Sequence, residues 1–388
     1  MKFESAQVAA MRLGVSVRAV QKWAKQGKIP RAYKSGRDWL IPVDCVKPSD
    51  FSDGNISYPN EPLPIIHPYK VGRIFDYINS IEDPDDKAMA LCEYYYLSGQ
   101  FKKSCIAAEP YLDSPNPILC STAAMVYFLA NLAQKHTVKT EYAFKLLKDV
   151  RRTCFEKNMG DEILAVCVLC STTVRTTLQL PTEDVPFIMD HIKYLDEGLR
   201  LFACYIMAYE AYLEKDYKKS LGIVQTALCL SRDVFVVSLI YLHIIAAMDY
   251  INLRNTKLAQ KELNAAWELA EPDGLYMPFT EHYSLLQGLI EKKFKHVHPQ
   301  DYAKITSAAE QYNSYWYEFY NKQTDSLVAH NLTNMEFTVA MLYSRNWHAK
   351  EIAEHMHLSE RTIMNYITII YSKLHINNKK QLEAYMLK

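Results

Sequence analysis

The chain has 388 residues, too long for one hydrophobic core, and a prior of roughly 100 to 200 residues per domain implies two to four units. With 49% hydrophobic and 23% charged residues it is not a disordered polymer, and 11 glycines against 28 tyrosines favour long helices over a turn-rich sheet protein. The formal net charge is zero, yet residues 1–48 carry +7, residues 326–388 carry +2 and the body between them −9. Basic ends around an acidic body suit contact with double-stranded DNA at the termini and exclude it from the middle. Nine cysteines at irregular positions, behind a start that holds Glu4 and no apolar leader, imply reduced thiols and a cytoplasmic, nucleoid-associated protein. The longest apolar stretch, Val234 to Met248, is interrupted by Ser238 and His243. It is too short to cross a bilayer, reads as a buried helix and implies no membrane partner.

In chain order, the pattern predicts a short helix over Glu4–Leu13, a turn at Gly14-Val15 and a second helix capped by Ser16 and running to Gln26. Gly27 to Pro30 ends that helix, and Lys34 to Pro42, with its Gly-centred turn followed by apolar residues, predicts a hairpin. Residues 1–48 are thus a helix-turn-helix with a short β wing. The pattern A..LGVS...V..W...GKIP..K.GR.W.IP resembles the small winged domains of the excisionase and MerR group. That resemblance implies a core around Trp23, Trp39 and Ile41. It also implies a DNA-reading helix lined by Ser16, Arg18, Gln21 and Lys22, with Lys34 and Arg37 on the wing gripping backbone or minor groove. The alternative is that these basic residues are a solvated face on an interaction domain.

Six of the 16 prolines fall between Ile41 and Tyr69, so residues 49–70 form a Pro-rich linker or an extended arm wrapped on the body. From Val71 to about residue 325, apolar residues recur at helical spacing between polar turns about 39 residues apart, close to the period of stacked helix pairs. The turns fall near Gly99-Gln100, His136 to Val138, Leu178 to Pro181, Lys215-Asp216, Arg254-Asn255 and Lys295 to His298. Two pairs are explicit: Leu199–Glu214 with Tyr217–Arg232, and Val234–Leu253 with Thr256–Glu271. Ala203, Ala208, Ala211, Ala259 and Ala266 allow close helix contact, and Tyr209, Tyr212, Tyr217 and Tyr250 fill larger gaps. This body resembles the tetratricopeptide-like (TPR-like) arrays of MalT-like regulators, with the run Ala270 to His282 similar to a segment recurring there. Its tyrosines and methionines read either as core or as the lining of an effector pocket.

Residues 326–388 are the most explicit. Thr333 and Glu336 form a capping box, so a helix runs from there to about Ser344. A second helix, His348 to His355, turns Ile352, Ala353 and Met356 to the core. Leu358 closes a tight turn, Ser359 caps a third helix, and Ile363, Ile367, Ile370 and Leu374 recur on its buried face. The opposite face, Arg361, Thr362, Asn365, Thr368 and Ser372, is polar and free to enter a major groove. Through LT..E, KEIAE, LSERTI and IYSKL the segment is similar to the LuxR/GerE family over the whole module. The resemblance implies that Lys350 and Lys373 contact phosphates and that Thr362, Met364, Asn365 and Thr368 face bases, with Arg361 beside them. It also implies that the last helix, Asn378 to Leu387, makes a homodimer. Met364 stands where that family usually has Lys, which removes one phosphate contact.

Cys167 and Cys170 form a CxxC without a second pair, and His296, His298, His348, His355 and His357 have neither HExxH spacing nor a carboxylate at ligand spacing. Core packing is therefore the reading for the thiols, with no metal and no cofactor. No phosphate-binding GxxxxGK[ST] occurs, and no nucleophile or paired-carboxylate constellation marks an enzyme. The expected protein is mainly α, a helical-repeat (TPR-like) solenoid flanked by two small helix-turn-helix domains. Its expected role is a bacterial transcription regulator whose body senses a peptide, protein or small-molecule effector. The rival is a TPR-type interaction scaffold whose terminal modules mediate assembly.

Overall fold

The computed structural model describes residues 3–386 apart from 14–15, 26–28, 30–31, 37, 44, 46–60, 181–184, 232–233, 325–327 and 330, and without the side chains of 19 and 314. They fall into two units, Met1–Pro59 and Asn60–Lys388.

The first unit contains β1 (Phe3–Ser5), α1 (Ala6–Leu13), α2 (Val17–Lys25), β2 (Tyr33–Ser35) and β3 (Asp38–Pro42). The expected hairpin is present, with Gly36 at φ +62° between β2 and β3, a conformation that glycine adopts without a Cβ clash. The first helix starts later than the periodicity implied. Phe3, Glu4 and Ser5 pair with Pro42, Ile41 and Leu40, making a three-stranded antiparallel sheet of order β1-β3-β2. Ser5 Oγ then takes the Val8 N–H at 3.4 Å and opens α1. Arg12 ties the helix to strand and tail, donating to Glu4 Oε1 at 2.8 Å and to the Cys45 carbonyl at 2.7 Å. Ala6, Ala9, Ala10, Val20, Ala24, Ile29 and Ile41 form the core, and half-buried Trp23 and Trp39 close its edge. Small residues on α1 let α2 pack closely.

The second unit is helical throughout. Its first helices are α3 (Ile74–Ser80), α4 (Pro84–Leu97), α5 (Phe101–Ala108), α6 (Pro117–Ala133), α7 (Thr137–Glu156), α8 (Asp161–Thr177) and α9 (Ile188–His191). Next come α10 (Glu197–Leu213), α11 (Tyr217–Leu230), α12 (Val236–Asn252), α13 (Thr256–Ala270), α14 (Met277–Glu281), α15 (Leu289–Phe294) and α16 (Pro299–Thr324). The last are α17 (Asn334–Ser344), α18 (Ala349–Met356), α19 (Glu360–Leu374) and α20 (Lys379–Glu383).

Four antiparallel pairs, α4/α5, α6/α7, α10/α11 and α12/α13, are closed by one turn geometry. Gly99, Lys135, Lys215 and Arg254 each adopt a left-handed φ of 62–75° just after the first helix. The following N–H reaches back to the helix, as in Asp216 N to the Ala211 carbonyl and Asn255 N to the Tyr250 carbonyl. Only one of the four is glycine, so the other three turns are held by their back-bonds against a small conformational cost. Helices α4, α6, α8, α10 and α12 pack successively and form an inner layer. The alanines expected at close contacts are buried, and the apolar run from Val234 forms α12 inside the core.

Residues 61–70, read as linker or as an arm wrapped on the body, are the arm and belong to this unit. Leu63, Ile65, Ile66 and Tyr69 are buried against the inner layer, and a 3-10 turn at Pro64–Ile66 aims them inward. Buried Asp273 holds the segment that follows, accepting the Gly72 N–H at 2.8 Å and the Ile74 N–H at 3.1 Å. It thereby supplies the cap that α3 lacks locally. Nor are residues 326–388 an independent lobe: their described part packs against α15 and α16. Among the described residues no helix is long and apolar enough to cross a membrane.

Candidate nucleic-acid interface

The C-terminal module has the local causes the sequence announced. Thr333 Oγ accepts the Glu336 N–H at 3.3 Å while a Glu336 carboxylate oxygen accepts the Thr333 N–H at 2.8 Å, and α17 begins there. Helix α18 turns Ile352, Ala353 and Met356 inward, and His357 ends it at φ +54°. Ser359 caps α19 by accepting the Thr362 N–H at 3.1 Å, and Ile363, Ile367, Ile370 and Leu374 are buried. The last helix is shorter than expected, spanning only Lys379–Glu383 with Asn378 as its cap, and residue 387 lies outside the described residues.

The face left over on α19 is polar and solvent-facing. Arg361, Met364, Asn365, Thr368 and Ser372 are exposed; Lys350 on α18 is exposed too. Arg361 and Asn365 carry side-chain donors of base-reading type on one helical face, at the spacing that reaches successive base steps. Thr362 is half-buried, its hydroxyl 2.7 Å from Ser359 Oγ, so it serves the helix start. Thr368 spends its hydroxyl proton on the Met364 carbonyl at 3.0 Å and keeps its acceptor lone pair outward. Lys373, expected on a phosphate, ion-pairs Glu336 at 2.7 Å. Burial alone raises the Glu336 carboxyl, but Lys373 and the Thr333 N–H together bring it below the usual carboxylate range.

In the N-terminal unit Arg18, Gln21 and Lys22 are exposed on α2, as are Ser16 just before it and Lys34 on the wing strand. Three long cationic side chains thus leave one small fold, the arrangement that anchors a protein to phosphates. Arg37 lies outside the described residues.

What the sequence did not announce is how firmly the C-terminal module is seated on the body. Arg254, at the left-handed turn between α12 and α13, donates to the Asn346 carbonyl at 2.8 Å and pairs with Glu351 at 3.2 Å. Its guanidinium lies 4.3 Å from the Trp347 ring centroid. Arg345 donates to Tyr212 Oη at 2.8 Å and to Asn252 Oδ1 at 2.6 Å. His355, buried beneath Trp347, sets Nε2 2.7 Å from the Gln287 carbonyl. Gly288, at φ +89°, lets α18 approach so closely that a Cβ there would stand 3.4 Å from both His355 Nε2 and Met356 Cγ. Phe337 of α17 stacks on Tyr317 of α16 at 5.1 Å. The docked surfaces lie at both ends of α17 and on the inner side of α18, and none of these contacts comes from the exposed face of α19. An arginine in a turn and a lone interfacial histidine have no sequence signature, which is why they were missed.

The thiol and histidine groups also resolve. Cys167 and Cys170 are buried, and Cys167 on α8 approaches Cys154 of α7 at 3.8 Å and Ser121 Oγ of α6 at 3.3 Å instead of its CxxC partner. His298 has two carboxylates near it, Glu271 and Asp301, with ligand atoms all within 4.8 Å. Asp301 is three residues on, so the view that no carboxylate accompanies that histidine is corrected. The group is partly exposed, with His298 Nδ1 3.8 Å from a Glu271 carboxylate oxygen and 4.0 Å from an Asp301 one.

Two helix-turn-helix units on one chain, each offering an exposed polar second helix, define a DNA-binding transcription regulator. Residues 330–386 match the family described as bacterial regulatory proteins, luxR family, and residues 5–47 match the family described as helix-turn-helix domain. No curated protein matches the chain.

Proposed function

We propose that this regulator reads DNA with both of its terminal modules and that the helical body senses an effector and sets how the two are presented. The observation that carries the reading is the asymmetry of the C-terminal module. Its scaffold side is clamped to the body by Arg254, Arg345 and His355, while Arg361, Asn365 and Thr368 stay exposed. A module docked for assembly alone would have no reason to leave its polar helix face open. Two readers of modest charge on one chain gain effective concentration for each other on a single DNA site. A homodimer through α20, where Lys380, Gln381 and Glu383 are exposed, would double that gain.

The TPR-type repeat reading of the body is supported by the recurrent left-handed turns and the inner helix layer. An electrophoretic titration with genomic DNA fragments tests the proposal. Arg18→Glu with Lys22→Glu, and separately Asn365→Ala with Thr368→Ala, should each weaken specific binding at least tenfold. If neither pair alters binding, the modules serve assembly and the scaffold reading replaces this one.

A further inference from the structure

Two thiols meet inside the α7–α8 hairpin. Cys154 lies in the last turn of α7 and Cys167 in the second turn of α8, their sulfurs 3.8 Å apart. Both are 1% exposed, yet they stand outside the main core: with Leu164 they form a small cluster of their own, edged by Val150, Met159 and Ile163. The turn that closes the hairpin faces solvent, with Phe155, Glu156, Lys157 and Asn158 exposed and Asn158 at φ +48°, a left-handed position that strains a residue with a Cβ. A satellite cluster under such a turn opens locally at less cost than the inner helix layer does. The neighbouring cysteines are engaged elsewhere. Cys120 donates to the Leu112 carbonyl at 3.1 Å, and Cys170 packs into the main core.

A cavity of about 220 Å³ opens one helical turn from the pair. Exposed Lys148 and Gln323 line it toward solvent, and buried Arg151 and Ser171 line it where α7 and α8 lead on to Cys154 and Cys167. The Cys154 S–H donates to the Cys167 sulfur. That bond, the Ser121 hydroxyl and the charge of Arg151 hold the Cys167 thiol below its ordinary value against the effect of burial, and Cys154 is pushed up. We propose that Cys154 and Cys167 form a peroxide-reactive dithiol, a modification site at which hydrogen peroxide closes a disulfide between α7 and α8. The Cys167 thiolate attacks one peroxide oxygen: an S–O bond forms, the O–O bond breaks, and the departing hydroxide takes up the Cys167 proton as water. The Cys154 sulfur then attacks the sulfenic sulfur of Cys167: the S–S bond forms, the S–O bond breaks, and the hydroxyl leaves as water with the Cys154 proton. Two thiols lose two electrons to one peroxide, giving one disulfide and two waters. The sulfurs close from contact to a bond of about 2.05 Å. Both helices of the hairpin hold α16, Glu141 of α7 pairing with Lys322 at 2.8 Å and the Thr177 carbonyl at the end of α8 accepting from Trp316 Nε1 at 2.9 Å. The bond thus falls beside the helix against which the C-terminal module packs, and its chemistry stands whether or not the modules read DNA.

Peptide mapping of the full chain tests this. The folded protein is exposed to hydrogen peroxide, the peroxide is removed with catalase, the remaining thiols are alkylated in urea, and the chain is digested with trypsin without reduction. Cleavage after Arg152, Lys157 and Arg175 puts Cys154 on residues 153–157 and Cys167 with Cys170 on residues 158–175, and fragmentation tells the last two apart. The two segments should become joined through Cys154 and Cys167, reversibly with dithiothreitol, at least tenfold faster than Cys92 or Cys105 of the main core is oxidised. Cys154→Ser should leave Cys167 as a sulfenic acid that dimedone traps, Cys167→Ser should leave Cys154 reduced, and Cys170→Ser should close the bond as the parent does. The parent's map decides by itself should a serine variant fail to fold. A link from Cys167 to Cys170, a link that forms only when peroxide meets the urea-unfolded chain, or oxidation of the pair no faster than that of Cys92 and Cys105 overturns the inference.

Discussion

Single residues decide how strongly the C-terminal module holds DNA. Met364 is 49% exposed on the outer face of α19, where the family resemblance puts a lysine. Met364→Lys should therefore steepen the dependence of log affinity on log salt by about 0.9, one counterion's worth, and tighten binding at low salt. Lys350→Ala should flatten it by the same amount, whereas Asn365→Ala should cost about 1 to 3 kcal/mol at the preferred site without changing the slope. A different residue fixes a pH effect. Asp249 lies wholly buried on α12 with Ser220 Oγ donating to it at 2.7 Å, and burial raises its pKa to about 8. The folded protein thus keeps a proton that the unfolded chain releases above its ordinary pKa of about 4. Stability contributed by the protonated acid is complete below pH 4 and lost as pH rises toward 8. Asp249→Asn has no such loss, so it should equal the parent near pH 4 and exceed it by on the order of 3 kcal/mol at pH 8, read from urea unfolding at the two pH values.

Elements show what a sequence can and cannot announce. The α17–α19 unit was legible because each boundary has a local cause: a Thr333–Glu336 box, a Ser359 cap and isoleucines at helical spacing. The start of α1 was misplaced because Glu4 pairs with Ile41, a strand contact 37 positions away that no window on α1 contains. At residues 61–70 the prolines left two readings open, a linker or an arm wrapped on the body, because they outnumber any periodic signal there, and the inner helices decide for the arm by burying Leu63 and Ile65. Docking was illegible for the same reason, since Arg254, Gly288 and His355 meet only in space. Gly288→Ala should strain a left-handed position and press on His355, costing about 1 to 2 kcal/mol. Trp347→Ala should loosen α17 and α18 further, giving them faster hydrogen exchange than α12, while the body keeps its protection. Burial lowers the His355 pKa, so the docked module excludes a proton that the undocked one takes up below about pH 6.5. Docking is complete above that pH and weakens as pH falls, and the exchange difference should widen from pH 7 to pH 5.

At the scale of the whole chain, the charge division acquires a physical meaning. The acidic body carries −9, which repels DNA; on the proposed reading contact is confined to the modules, each a weak reader alone. The C-terminal one has Met364 where a cation would help and commits Lys373 to Glu336. The N-terminal one is small but carries +7 with its cations exposed on α2 and the wing. A bipartite reader predicts a non-additive outcome. If both modules grip one DNA site, Arg18→Ala with Lys22→Ala should cost about 0.9 of salt slope for each phosphate contact removed, and the C-terminal pair should cost little slope but most of the sequence preference. The combined variant should fall to the level of non-specific binding, a loss smaller than the sum of the two, because once one module has let go the other has no effective concentration left to lose. Independent modules binding separate sites would instead give each variant its own unaffected set of fragments. Footprinting the parent and the three variants on the same genomic library distinguishes these outcomes: shared footprints weakened by either change support one composite reader, and disjoint footprints refute it.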